Sequence, residues 1–151
     1  FADAYTPVVE SSAIPTGEIA SVEGTPMDFR TEKQIGQDIR ADFEQLHFTG
    51  GYDHNYVLGR PGEKKIIANA YCRESGIALE AETDCCGVQF YAGNFIGEQT
   101  GKGGAAYHDR SAFCLESQFY PNAVNEPDFP SPVVKAGHTY HTETSYRFYL
   151  R

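Results

Sequence analysis

The sequence predicts an all-β fold, on two observations. Apolar and polar residues alternate with a period of two in several segments, and these segments are short and divided by connections containing Gly, Pro, Asn or Asp. In "GIALEAETD", Ile77, Leu79, Ala81 and Thr83 alternate with Ala78, Glu80, Glu82 and Asp84, the pattern of a strand with one wet face. The C-terminal "HTYHTETSYRFYL" sets Tyr140, Thr142, Thr144, Tyr146, Phe148 and Leu150 against His141, Glu143, Ser145, Arg147 and Tyr149.

In chain order, the first predicted strand is 18–23, between Gly17 and Gly24. One segment then departs from the period of two. "TEKQIGQDIRADFEQL" spaces Ile35, Ile39, Phe43 and Leu46 by four, four and three, and Thr31 with Gln34 resembles a capping box, which predicts a short helix that Gly36 weakens. Strands resume at 55–58, ending at Gly59, and at 65–72, after the turn residues Pro61 and Gly62. The "GIALEAETD" strand follows, then 88–92 between Gly87 and Gly93, 112–118 ahead of Pro121, and the C-terminal segment. There is no internal repeat, low-complexity tract or linker, so residues 1–151 read as one unit.

Composition limits the function. With 151 residues, 40% of them hydrophobic, the chain is long enough for one domain with a real core. Twelve Lys and Arg against 21 Asp and Glu give a net charge of −9, the wrong sign for neutralising a phosphate backbone, so nucleic acid is not an expected partner. No run approaches the ~18 apolar residues of a membrane span, and "FADAYTPVVE" has neither a basic region nor an apolar signal core. The chain lacks a starting Met, consistent with its beginning inside a longer protein. Cys72, Cys85, Cys86 and Cys114 form no paired C-x-x-C motif and read as buried free thiols, with a lean to a reducing cytoplasm. Adjacent Cys85 and Cys86 would point to opposite faces of a strand unless a turn intervenes.

Three places could carry chemistry. On a strand over 112–118, Glu116 shares a face with Ala112, Cys114 and Gln118, while Phe113 and Leu115 point into a core. A carboxylate there, its pKa lifted by partial burial, suits a general base; the plainer reading is a sheet acid facing bulk water. In "GGYDHNYVLG", Asp53, His54 and Asn55 stand where a tight loop delivers polar groups at a strand entrance, or where Asp53 caps an Asx-turn. Gln89, inside the aromatic "CGVQFYAGNF", needs partners that either the backbone or a sugar-like ligand could supply. "TGKGGAAY" lacks phosphate-loop spacing and reads as a flexible turn. His138 and His141 would project to opposite faces of a strand and make a poor zinc pair, and His47 and His108 read as surface histidines. No metal site is expected.

Together the motifs "YTPV" (5–8), "IPTGE" (14–18), "GTPMDFR" (24–30), "YDHNYVL" (52–58), "GVQFYAGNF" (87–95), "GKGGAAY" (101–107) and "FCLESQ" (113–118) resemble the aldose 1-epimerase, or galactose mutarotase, family. The likeness runs on through "PNAVNEPDFP" (121–130) to the last strand. It implies a large antiparallel β-sandwich with a sugar cleft across one sheet, Glu116 as the catalytic base, and Asp53 and Gln89 as sugar-binding residues. It implies an isomerase of aldohexoses such as galactose and glucose, working by acid–base ring opening without metal or redox cofactor. Members are roughly twice this length, and their conserved arginine and two histidines, one of them the general acid, lie in the N-terminal half. His54 does not correspond to that acid. The resemblance thus identifies residues 1–151 as a C-terminal half, with the complementary half or another copy of the chain as its partner. Two rivals are a non-catalytic sugar-binding or regulatory protein of the same fold, and a hexose-6-phosphate epimerase. The latter needs a cationic phosphate pocket, for which only Lys64 and Lys65 stand adjacent.

Overall fold

Period-two segments become paired strands in the computed structural model, which describes residues 1–151. The strands are β1 (Ala4–Tyr5), β2 (Ala20–Ser21), β3 (Asp53–Val57), β4 (Lys65–Tyr71), β5 (Ile77–Thr83), β6 (Gly87–Tyr91), β7 (Gln99–Thr100), β8 (Ala106–Tyr107), β9 (Cys114–Gln118) and β10 (Thr144–Leu150). They form a five-stranded sheet in the order β2-β1-β3-β6-β9, a three-stranded sheet in the order β10-β5-β4, and a small β7-β8 hairpin. Every pairing is antiparallel. The "TGKGGAAY" turn is the tip of that hairpin, a 3₁₀ turn over Lys102–Gly104.

The two larger sheets face each other across the core. Tyr5, Tyr56, Val88 and Phe90 on the five-stranded sheet pack with Ile67 and Ala81 on the three-stranded one, joined by Val22, Met27, Ile39 and Tyr52 from the connections and by Leu46 from the one short helix. Aromatic rings dominate this layer. Tyr52 stacks on Phe90 with centroids 5.4 Å apart, and Phe29 meets both edge-on. A second, smaller cluster of Cys86, Tyr120, Ala123 and Phe129, with Val57 and Phe119 packed against it, covers part of the opposite face of the five-stranded sheet.

Four expectations are corrected. The helix is not at 31–46: only Glu44–Thr49 is helical (α1), and 31–43 runs through turns closed by Gln37 N–H to Gln34 and Ala41 N–H to Asp38. Ile39, in the turns, and Leu46, in α1, are both buried, so the apolar spacing reports contact with the core and not one continuous helix. The strand expected at 18–23 shrinks to Ala20–Ser21, and the last strand starts at Thr144, leaving His138 and His141 exposed and outside it. Cys85 and Cys86 lie in the bend between β5 and β6, and both are buried; Cys72 and Cys114 are exposed, and all four are free thiols. No helix is long and apolar enough to cross a membrane.

Candidate functional site

The site is a product of register. β3, β6 and β9 pair so that Asn55, Gln89 and Glu116 form one row across the sheet, and Asp53, Tyr91 and Cys114 form the next. Val57, Gly87 and Gln118 form the row on the other side. Because side chains alternate along a strand, all nine positions share one face, and His54, Phe90 and Leu115 in the intervening row belong to the core face. The sequence expectation for β9 thus holds: Phe113 and Leu115 pack against the core, and Glu116 points away with Cys114 and Gln118.

Local sequence puts the strand entrance in place. Helix α1 ends at Gly50, whose left-handed φ of 67° reverses the chain and returns its N–H to the Leu46 and His47 carbonyls. Asn94 then holds the incoming segment by donating to the carbonyls of Thr49 and Tyr52. Asp53 follows as the first residue of β3. Its side chain makes no Asx-turn. Asp53 Oδ1 instead accepts a 2.7 Å hydrogen bond from Gln89 Nε2 on the neighbouring strand.

Gln89 finds its partners among side chains, not backbone. It donates to Asp53, and its Oε1 accepts from Gln118 Nε2 at 3.0 Å. Gln118 Nε2 also donates to Asn55 Oδ1 at 3.2 Å. Asn55 is only 1% exposed, and its Oδ1 occupies the space that a Cβ at residue 87 would fill, which is why glycine stands there. The result is a chain of amides, Asn55 to Gln118 to Gln89, that ends on a carboxylate. Asn55 Nδ2 is buried with no partner.

Glu116 lies beside this network and is exposed, so the partial burial expected for it is not present; β9 is the last strand of its sheet. Its charge is felt nearby. Desolvation, then the charges of Glu116 and Asp53, raise the Cys114 thiol pKa; desolvation, then Glu116 and Cys114, raise the Tyr146 phenol. Tyr146 Oη donates to the Leu115 carbonyl at 2.5 Å, tying β10 to β9.

The structure therefore brings Asp53, Gln89 and Glu116 onto one face and sends His54 to the other. His54 is fully buried, with Tyr5 edge-on to its ring, and burial lowers its pKa to about 4. His108 is exposed and bonded to Glu98, and His47 is exposed beside Asp42. No group of three or more His, Cys, Asp or Glu is arranged to hold a metal. Asn55 was named from sequence only as one of the polar groups at the strand entrance, and Gln118 only as sharing the face of Glu116; neither was read as a site residue. The signal was available: each stands two residues beyond a candidate, Asp53 and Glu116, so each shares its face.

Comparison with known proteins adds a family to this geometry. Residues 1–147 match the model of the family described as aldose 1-epimerase. Galactose mutarotase of Sus scrofa is 45% identical over 148 residues, which are 97% of this chain and 42% of that protein. Aldose 1-epimerase of Escherichia coli K12 is 37% identical over 150 residues, 97% of this chain and 43% of that one. The chain thus spans less than half the length of these relatives. Among solved structures, an aldose epimerase homologue from C. elegans superposes with a TM-score of 0.78 at 28% identity, covering 99% of this chain and 44% of that one. Galactose 1-epimerase of Lactobacillus acidophilus shares the fold, with a TM-score of 0.63 at 21% identity, over 99% of this chain and 42% of its own.

Proposed function

The chain belongs to the aldose 1-epimerase family, and from that premise we propose that the protein carrying it interconverts the α and β anomers of aldohexoses such as galactose and glucose. The observation that carries the proposal is the placing of Glu116 in one row with Gln89 and one row from Asp53, on a single sheet face. Anomer exchange needs a base at the C1 hydroxyl and an acid at the ring oxygen. The Glu116 carboxylate takes the hydroxyl proton, the C1–ring oxygen bond breaks as C1 becomes an aldehyde carbonyl, and the ring oxygen is protonated. Rotation about C1–C2 and the reverse steps give the other anomer. Asp53 and Gln89 hold the sugar, the carboxylate accepting from hydroxyls and the amide offering both a donor and an acceptor.

The acid does not come from His54, which is on the core face. We read residues 1–151 as the C-terminal half of one larger sandwich, the other half supplying the proton donor. The exposed apolar side chains of Phe148 and Leu150 on the inward face of β10 and the 42–43% coverage of the relatives support this. The four free thiols favour a reducing compartment, and we place the protein in the cytoplasm. A 6-phosphorylated substrate is disfavoured on this side, because Lys64 is paired with Glu82 and Glu143 and Lys65 donates to the Leu58 carbonyl.

The test is a coupled assay with β-specific galactose dehydrogenase, started from α-galactose, on the full-length protein. Acceleration of NADH formation is expected, and faster turnover on free than on 6-phosphorylated hexose. An intact protein that binds galactose without accelerating the exchange would leave a non-catalytic sugar-binding protein in its place.

A further inference from the structure

The structure assigns Gln118 a positioning role: its amide fixes the direction and place of the Gln89 amide, and through it the Asp53 carboxylate. The inference rests on the reading above that Asp53 and Gln89 bind the sugar. Gln118 stands two residues beyond Glu116 on β9, in the row with Gly87 and Val57. Its Nε2 donates to two oxygens at once, Gln89 Oε1 at 3.0 Å and Asn55 Oδ1 at 3.2 Å. A carboxamide has a donor end and an acceptor end. With the acceptor end of Gln89 engaged by Gln118, its donor end is turned to Asp53, where it lies 2.7 Å from Oδ1. The opposite orientation would set oxygen against the Asp53 carboxylate and nitrogen against the Gln118 nitrogen.

What makes Gln118 an anchor is its other acceptor. Asn55 is 1% exposed, and its oxygen sits in the space left by the missing side chain of Gly87, with the Tyr120 ring 2.9 Å from where that Cβ would be. Asn55 is therefore held by packing, Gln118 by Asn55, Gln89 by Gln118, and Asp53 by Gln89. Gln89 and Asp53 are both half-buried at the open end of this series, so the series grows more mobile toward the ligand unless Gln118 holds it. Asp53 is held through one oxygen only; its second takes no hydrogen bond from within the chain and is left to accept from a sugar hydroxyl.

The test uses the full-length protein and two substitutions. Gln118→Met keeps the length and removes both donors; Gln118→Glu keeps the shape and turns an acceptor toward two oxygens. With galactose as substrate, Gln118→Met is expected to raise KM about tenfold while kcat stays within about threefold, and Gln118→Glu to raise KM further. In a Gln89→Ala background, Gln118→Met should add no further rise, because its effect passes through Gln89. An unchanged KM in Gln118→Met, or the same rise with and without Gln89, overturns the assignment, as does a lowered melting temperature with normal KM. A second readout stands apart from turnover. In ¹⁵N-glutamine-labelled protein, the Gln89 side-chain amide should exchange with solvent about tenfold faster in Gln118→Met than in wild type. Unaltered exchange refutes the assignment even if the wild-type protein proves inactive on every hexose, an outcome that removes the proposed function alone.

Discussion

Glu116 is exposed, so exchanging one of its oxygens for an amide nitrogen removes no buried interaction. Glu116→Gln should therefore lower kcat by ~10²–10⁴ while the denaturation midpoint stays where it was, because the amide keeps the shape and cannot accept the proton. Activity close to wild type would move the base elsewhere. His54, one residue from Asp53, belongs to a different account. Burial lowers its pKa to about 4, below the ordinary histidine value of 6.5. The native state thus excludes a proton that the unfolded chain takes up below pH 6.5. Stability should fall as pH drops from 6.5 toward 4 and then stop responding to this group, a loss on the order of 3 kcal/mol. Chemical denaturation across that range should show a difference in slope between wild type and His54→Phe; parallel curves would mean that His54 takes up its proton equally in the native and unfolded states. These two residues also mark what sequence could tell. Period two was enough to put Glu116 on its face, whereas His54 was read as part of a loop and is a residue of β3 with its side chain in the core. The hydrogen bonds that join Gln118 to Asn55 and to Gln89 span 63 and 29 residues, and depend on a strand register that no local pattern fixes.

Elements were legible where one face was buried and the other wet. β5 spans Ile77–Thr83, within a segment of sustained alternation, whereas the helix was misplaced. The spacing of Ile35, Ile39, Phe43 and Leu46 reflects a surface pressed on the core, and turns satisfy it as well as a helix does. The residue that settles the end of α1 is Gly50. Any side chain there adopts a left-handed φ of 67°, and its Cβ falls 3.0 Å from the Phe95 ring. Gly50→Ala is expected to cost about 1–2 kcal/mol, read as a lower urea midpoint at constant m-value. A larger loss accompanied by weaker sugar binding would show that the shift reaches Asp53 at the entrance of β3. A neutral outcome would mean that α1 ends by another route.

At the scale of the whole molecule the sandwich is closed on one side and open on the other. The row of β5 residues that reaches the core through Ala81 continues across β10 as Tyr146, with Phe148 beside Leu79 and Leu150 beside Ile77. Phe148 is 67% and Leu150 82% exposed, although they lie on the inward face of their sheet. Leu115 on β9 and Phe113 just before it look toward the same gap, and the open apolar cleft between the two sheets has a volume of about 530 Å³. Both β9 and β10 are edge strands, so unpaired backbone borders exposed apolar surface. The relatives have more than twice the length, which fits our proposal that further polypeptide covers this face. The 151-residue chain on its own should then associate, its apparent mass rising with concentration above 16.7 kDa in size-exclusion chromatography with light scattering. If the apolar face drives this, Phe148→Lys with Leu150→Lys should restore the monomer. If the open edges drive it, that double variant should still associate, because it leaves the backbone of β9 and β10 unpaired. A wild-type chain that stays monomeric and melts cooperatively would show that the gap between β9 and β10 closes without further polypeptide, and that the sandwich ends with these strands.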